Sequence, residues 1–91
     1  MSKIYTKPFS CELGDLHLVR PSRAKLNEFV VHNENATFEE REAIVFHCVE
    51  FCLRDKEGNQ VYTKEQLMND VPADLIGVIY NAVMGNDEKK S

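Results

Sequence analysis

Thr37 to Leu53, TFEEREAIVFHCVEFCL, decides how this chain is read, because it describes one helix that is too apolar to lie on a surface. On a wheel of about 100° per residue, Glu39, Glu40, His47, Glu50 and Arg54 share a stripe about 100° wide, and nearly everything else after the first turn is apolar. Such a helix is predicted to be wrapped by neighbours on most of its circumference. Thr37 stands where an N-cap hydroxyl is needed, and Glu40 follows three residues later, the spacing at which each side chain satisfies the other's backbone N–H.

Upstream, Phe9-Ser10-Cys11-Glu12-Leu13 and Leu16-His17-Leu18-Val19-Arg20 flank Gly14-Asp15, which predicts a β-hairpin with a two-residue loop opened by the glycine. In that register Leu13 faces Leu16, Glu12 faces His17, Cys11 faces Leu18 and Phe9 faces Arg20. Phe9, Cys11, Leu13, Leu16 and Leu18 then share one face, which must lie on helices because two strands alone are marginal. Pro21 bars helix at Arg20, and Ser22 can cap a helix from Arg23 to about His32, with Leu26, Phe29 and Val30 as its inner stripe.

Downstream of the central helix, Arg54-Asp55-Lys56-Glu57-Gly58-Asn59 reads as a charged turn with Gly58 at positive φ. Thr63 and Gln66 repeat the capping-box spacing and open a short helix to about Asn69. Asp70-Val71-Pro72 breaks it, and a last helix runs from about Pro72 to Met84, stopped by Gly85. Leu75, Ile76, Ile79, Tyr80, Val83 and Met84 form its apolar side, and Gly77 would let a neighbour approach closely. The expected fold is α+β and mainly α, a small N-terminal hairpin packed on a bundle of about four helices. Residues 9–85 form its single globular domain, between a loose segment 1–8 and a disordered tail 86–91.

A chain of 91 residues removes only about 60 to 65% of its unfolded surface from water, which leaves room for one core and no deep cleft. Net charge −4, with 11 basic residues gathered on no one face, argues against a nucleic-acid partner, whose phosphates demand a positive surface. The apolar runs are far too short to span a bilayer, and MSKIYTKPFS has no apolar leader core, so a cytoplasmic protein without membrane partners is expected. Cys11, Cys48 and Cys52 are odd in number and read as reduced, hydrophobic thiols.

The turn from Asp55 to Glu65 invites comparison with a calcium loop. Counting back from Glu65 as the last ligand position puts Arg54 first and Lys56 third, whereas counting from Gly58 as the sixth puts Leu53 first and Lys64 last. Neither register supplies a cage of oxygens. His47, Cys48 and Cys52 form half a zinc set with no second ligand pair, and His47 points away from the thiols. Glu39, Glu40, Glu42 and Glu50 recur at helical spacing but read as a solvated face, and His17 and His32 have no nucleophile motif beside them. No catalytic residue, metal or cofactor is assigned, and the chain is expected to be a non-enzyme.

Taken in order, Leu18-Val19-Arg20-Pro21-Ser22, then Val45 to Asp55 with Cys52, the Gly58 turn to Thr63, and Val71 to Met84 resemble the tail assembly chaperones of long-tailed bacteriophages, over about residues 9 to 84. In that family a β element ending in arginine leads to a helix, an apolar helix with a polar glycine turn, a short helix and a last helix. The resemblance implies a factor absent from the mature virion that binds the tape measure protein in the host cytoplasm and keeps it soluble during tail assembly. It also implies a frameshift-extended form reaching the tail tube protein, and Glu88-Lys89-Lys90-Ser91 permits an A-rich slippery codon pair. A groove on an acidic helical domain suits an amphipathic client helix. On the last helix Leu75, Ile79 and Val83 are assigned to the core. Ile76, Tyr80 and Met84, rotated by about 100°, form a second stripe that so small a core is not expected to cover, and they are the expected partner-binding residues. Two other readings stand beside this one: a small acidic regulatory or inhibitory protein docking on a host protein, and a structural subunit of a homo-oligomer.

Overall fold

The computed structural model describes residues 5–30 and 34–85, so the expectations for residues 1–4 and for the tail 86–91 fall outside the described residues. Strands β1 (Thr6–Cys11) and β2 (Gly14–Val19) form a hairpin, followed by α1 (Arg23–Glu28) and the long α2 (Phe38–Cys52). A two-residue strand β3 (Leu53–Arg54), then α3 (Lys64–Asp70) and α4 (Ala73–Met84), complete the chain. The sheet is antiparallel in the order β1-β2-β3, and the architecture is the expected small α+β fold with most of its residues in helices.

The hairpin register corrects the sequence reading. The loop is Glu12-Leu13, and the pairs are Cys11 with Gly14, Ser10 with Asp15, Phe9 with Leu16, Pro8 with His17, Lys7 with Leu18 and Thr6 with Val19. Gly14 takes φ +116°, but as the residue that closes the turn and not as the one that opens it. Each residue's partner moves by four, an even number, so Phe9, Cys11, Leu16 and Leu18 stay on the core side as expected. The shift also draws Thr6 to Pro8, expected to be loose, into β1.

The Arg20 amide donates to the Tyr5 carbonyl at 2.6 Å, which sets the alternation along β1. Tyr5, Lys7, Phe9 and Cys11 turn their backbone groups toward β2, and Thr6, Pro8 and Ser10 turn theirs to the free edge. Pro8 thus puts its missing N–H on the open side, where no ladder bond is lost and an incoming strand meets a gap. At the other edge Arg54 bridges to Gln60, so the chain folds back over β3.

The central helix begins as expected. The Glu40 amide donates to Thr37 Oγ1 at 3.1 Å and the Thr37 amide to Glu40 Oε1 at 2.9 Å. Thr37→Ala should therefore cost about 1 kcal/mol, read as a lower urea midpoint, whereas Ser10→Ala, which removes one exposed bond to Asp15, should leave the midpoint nearly unchanged. At its far end α2 passes directly into β3, since Leu53 is extended at φ −81°, ψ 116° and lies fully buried opposite Leu18. Arg54 donates from Nε to the Phe51 carbonyl at 2.8 Å and from Nη1 to the Gly58 carbonyl at 3.1 Å, tying the helix end to the turn.

Helix α1 is shorter than predicted. It ends at Glu28, Phe29 leaves helical geometry, and residues 31–33 lie outside the described residues. Of its expected inner stripe, Phe29 is fully buried and Leu26 and Val30 are half-buried. Helix α3 has the expected Thr63–Gln66 capping box, and Glu50 on α2 adds a further acceptor for the Lys64 amide at 2.9 Å. The core joins Leu18 and Val19 to Phe29, Phe46, Cys48, Val49, Cys52, Leu53, Leu67, Val71 and the inner side of α4. Among the described residues no helix is long and apolar enough to cross a membrane.

Candidate partner-binding surfaces

Helix α4 carries the residues expected to receive a partner, and its geometry changes that expectation. Ile76 is 4% exposed and belongs to the core with Leu75, Ile79 and Val83. Tyr80 is half-buried, and its hydroxyl donates to the Phe29 carbonyl at 2.6 Å. Met84 is half-buried against the same core. The stripe expected to be open is therefore largely covered, because α4, which packs on α2, turns more than a quarter of its circumference to the core. The outward side of α4 is instead Asp74, Gly77, Val78 and Asn81, with Val78 52% exposed. Among the described residues no other element lies within 4 Å of the Cβ a side chain at Gly77 would carry, so the close approach anticipated there is not made by them.

Phe29 is the junction between α1, α2 and α4. Its ring meets His47 edge-on at 5.4 Å and Phe51 at 6.1 Å, while its carbonyl holds Tyr80. Around it Lys25 reaches Glu28 Oε1 at 3.3 Å and lies 4.8 Å from the centre of the Phe51 ring, and His47 Nε2 stands 3.7 Å from Glu28. These polar side chains are partly exposed and clasp α1 to α2.

Several of the residues weighed for chemistry have structural partners. Asp55 Oδ1 accepts the amides of Glu57 and Asn59, both at 2.9 Å, and the Asn59 amide bond leads the interactions that hold its carboxyl below the usual range. That oxygen closes the Gly58 turn, where the glycine takes φ +90°. Of the four glutamates at helical spacing, Glu40 and Glu50 accept amides at the starts of α2 and α3. His17 pairs across the sheet with Pro8 and Arg54, and His32 lies outside the described residues. Among the described residues no three His, Cys, Asp or Glu side chains converge where a metal ion could sit.

Cys48 and Cys52 are both fully buried, one turn apart. The hydrogen bond to Cys52 and then burial push the Cys48 thiol far above its ordinary value, and burial first, then Cys48, raises Tyr80. A thiol that holds its proton more tightly when folded stabilises fully below the unfolded value of about 8.5 and loses that contribution as pH rises. Stability should thus fall above about pH 8.5, by up to about 1.4 kcal/mol per pH unit for this one group. Urea midpoints taken under reductant at rising pH should show the slope in the wild type and a shallower one in Cys48→Ala; equal slopes would place the alkaline loss elsewhere.

What sequence reasoning missed is Phe38, which is 76% exposed on the first turn of α2. It lies on the same side of the helix as Val45, Val49 and Cys52, at steps of seven, eleven and fourteen, so its side faces the core while its height overshoots it. No residue of α2 before Phe46 is buried. No protein-family model, curated protein or solved structure matches this chain.

Proposed function

We infer that this chain is a tail assembly chaperone of a long-tailed phage, a non-catalytic factor that holds the long helical tape measure protein in soluble form until tube subunits enclose it. On this reading it works in the host cytoplasm, is absent from the mature virion, and meets the tail tube protein through a frameshift-extended form. The order of motifs from residue 9 to residue 84 supports it. The observation that carries it furthest is that a closed core leaves Phe38, Met68 and Val78 more than half exposed, each on a different helix. Large apolar side chains on separate helices, one a pliable methionine, suit a client met through many similar helical segments better than one fitted ligand.

Co-expression with the tape measure protein encoded beside it tests the proposal. The client should move from the pellet to the soluble fraction and elute with the chaperone. A client that stays insoluble, while the chaperone itself is folded and soluble, would remove this reading.

A further inference from the structure

The core stops halfway along the central helix, and this gives the free half a surface of its own. Residues 38–45 make up about 12 Å of helix with no fully buried side chain. Glu42, Ile44 and Val45 are half-buried, Val45 against the edge of the core, and the stripe that faces the core further on runs back from Val45 through Glu42 to the exposed Phe38. Phe38 is the most exposed large apolar side chain among the described residues. Its surroundings are acidic. Glu39, Glu40 and Glu42 share the same two turns with one cation, Arg41, whose guanidinium is turned back onto the backbone, donating to the carbonyls of Glu34 at 3.1 Å and Ala36 at 3.3 Å. Glu40 is engaged by the Thr37 amide, and among the described residues no cation pairs with Glu39 or Glu42.

We propose that the first two turns of α2 are a docking site for a basic amphipathic helix of a partner, with Phe38 as the apolar anchor and Glu39 and Glu42 as the charges that set its orientation. The occupant follows from charge complementarity. A helix with an apolar stripe flanked by Lys and Arg places its apolar residues on Phe38 and on the part of Val45 that the core leaves open, and its cations on the two unpaired carboxylates. A second copy of this chain is disfavoured at the same place, because it would set Glu39 and Glu42 against their own equivalents. Pairing along the sheet is no competitor either, since Pro8 interrupts the open edge of β1. The inference rests on the chaperone reading in that the client is a helical polypeptide, and it assigns the segments that client presents: cationic, amphipathic ones.

The test uses the full chain and a synthetic helical peptide with leucines along one stripe and lysines flanking it, followed by fluorescence anisotropy. Binding in the micromolar range is expected, weakening by about tenfold or more in Phe38→Ala, as for the loss of an interface anchor. Glu39→Gln with Glu42→Gln should weaken it by about threefold to tenfold at low salt and flatten its salt dependence. Both variants keep the Thr37–Glu40 cap, so both should fold, with melting temperatures within a few degrees of the wild type's, the small loss in the double variant coming from the first-turn charge of Glu39. Equal affinity for Phe38→Ala, or equal binding of a peptide with glutamates in place of the lysines, would overturn the site. If wild type and Phe38→Ala solubilise the tape measure protein equally well, the chaperone reading stands and this surface is lost. If the peptide binds as expected while the client stays insoluble, the surface stands and the chaperone reading falls.

Discussion

Replacing Ile76 with serine is expected to lower stability by about 4 kcal/mol, because the substitution empties a packed volume in the core and puts a polar group in its place. A domain of this length has roughly 5 to 13 kcal/mol to lose, so one such change brings it close to unfolding. Adding Tyr80→Ser removes an aromatic ring from the α1–α4 contact and leaves the Phe29 carbonyl without its donor, so the double variant should show the circular dichroism of an unfolded chain. Had Ile76 and Tyr80 formed an open face, the same double variant would keep its helical spectrum and lose only partner binding. Urea titration followed by circular dichroism separates the two outcomes, and a helical, cooperatively unfolding double variant would return that stripe to the surface.

Phe29→Ala should be comparably severe, at about 3 to 5 kcal/mol, the range for deleting a buried aromatic. The ring is the only fully buried side chain between α1 and the start of α2 among the described residues, and three elements converge on it. Phe29→Leu, which keeps most of the volume but gives up the edge-on contact with His47, should cost no more than about 1.5 kcal/mol. Lys25→Ala should cost under about 1 kcal/mol, since its ion pair is partly exposed. If Phe29→Ala and Lys25→Ala proved equally mild in urea, the clasp between α1 and α2 would owe nothing to the buried ring.

Helix starts were legible from the sequence because a capping box is local chemistry: Thr37 with Glu40 and Thr63 with Gln66 stand three residues apart and need no tertiary knowledge to recognise. Gly58 and Gly85 were legible for the same reason, one taking positive φ in the turn after β3 and the other at the end of α4. The hairpin was legible as a hairpin, yet its register was not. A glycine can open a tight turn or close it, and the side-chain faces are identical for registers that differ by an even number, so the alternation alone could not choose. Strand β3 carried no signal at all, since two residues owe their pairing to Leu18 and His17 and not to propensity.

The candidate surface failed for a related reason. Periodicity says which side of α4 is apolar but not how wide an arc the core will cover, and the arc proved wide enough to take Ile76. The same limit hid Phe38, whose side of the helix is the core side. Only the length of the core along α2 reveals that its position lies about two turns before the first buried residue of the helix. The clue was available as a mismatch of sizes, an apolar helix of four turns in a chain too short to bury all of it.

The buried residues of α2 lie in its C-terminal half, and the first two turns are proposed to receive a helical client. Hydrogen exchange, followed by mass spectrometry on the free chain and on its complex with the tape measure protein, addresses that claim directly. In the free chain, amides of residues 38–45 should exchange well before those of residues 46–52, and complex formation should slow the first group strongly while residues 73–84 change little. Protection gained on α4 with none on the first turns of α2 would contradict the account.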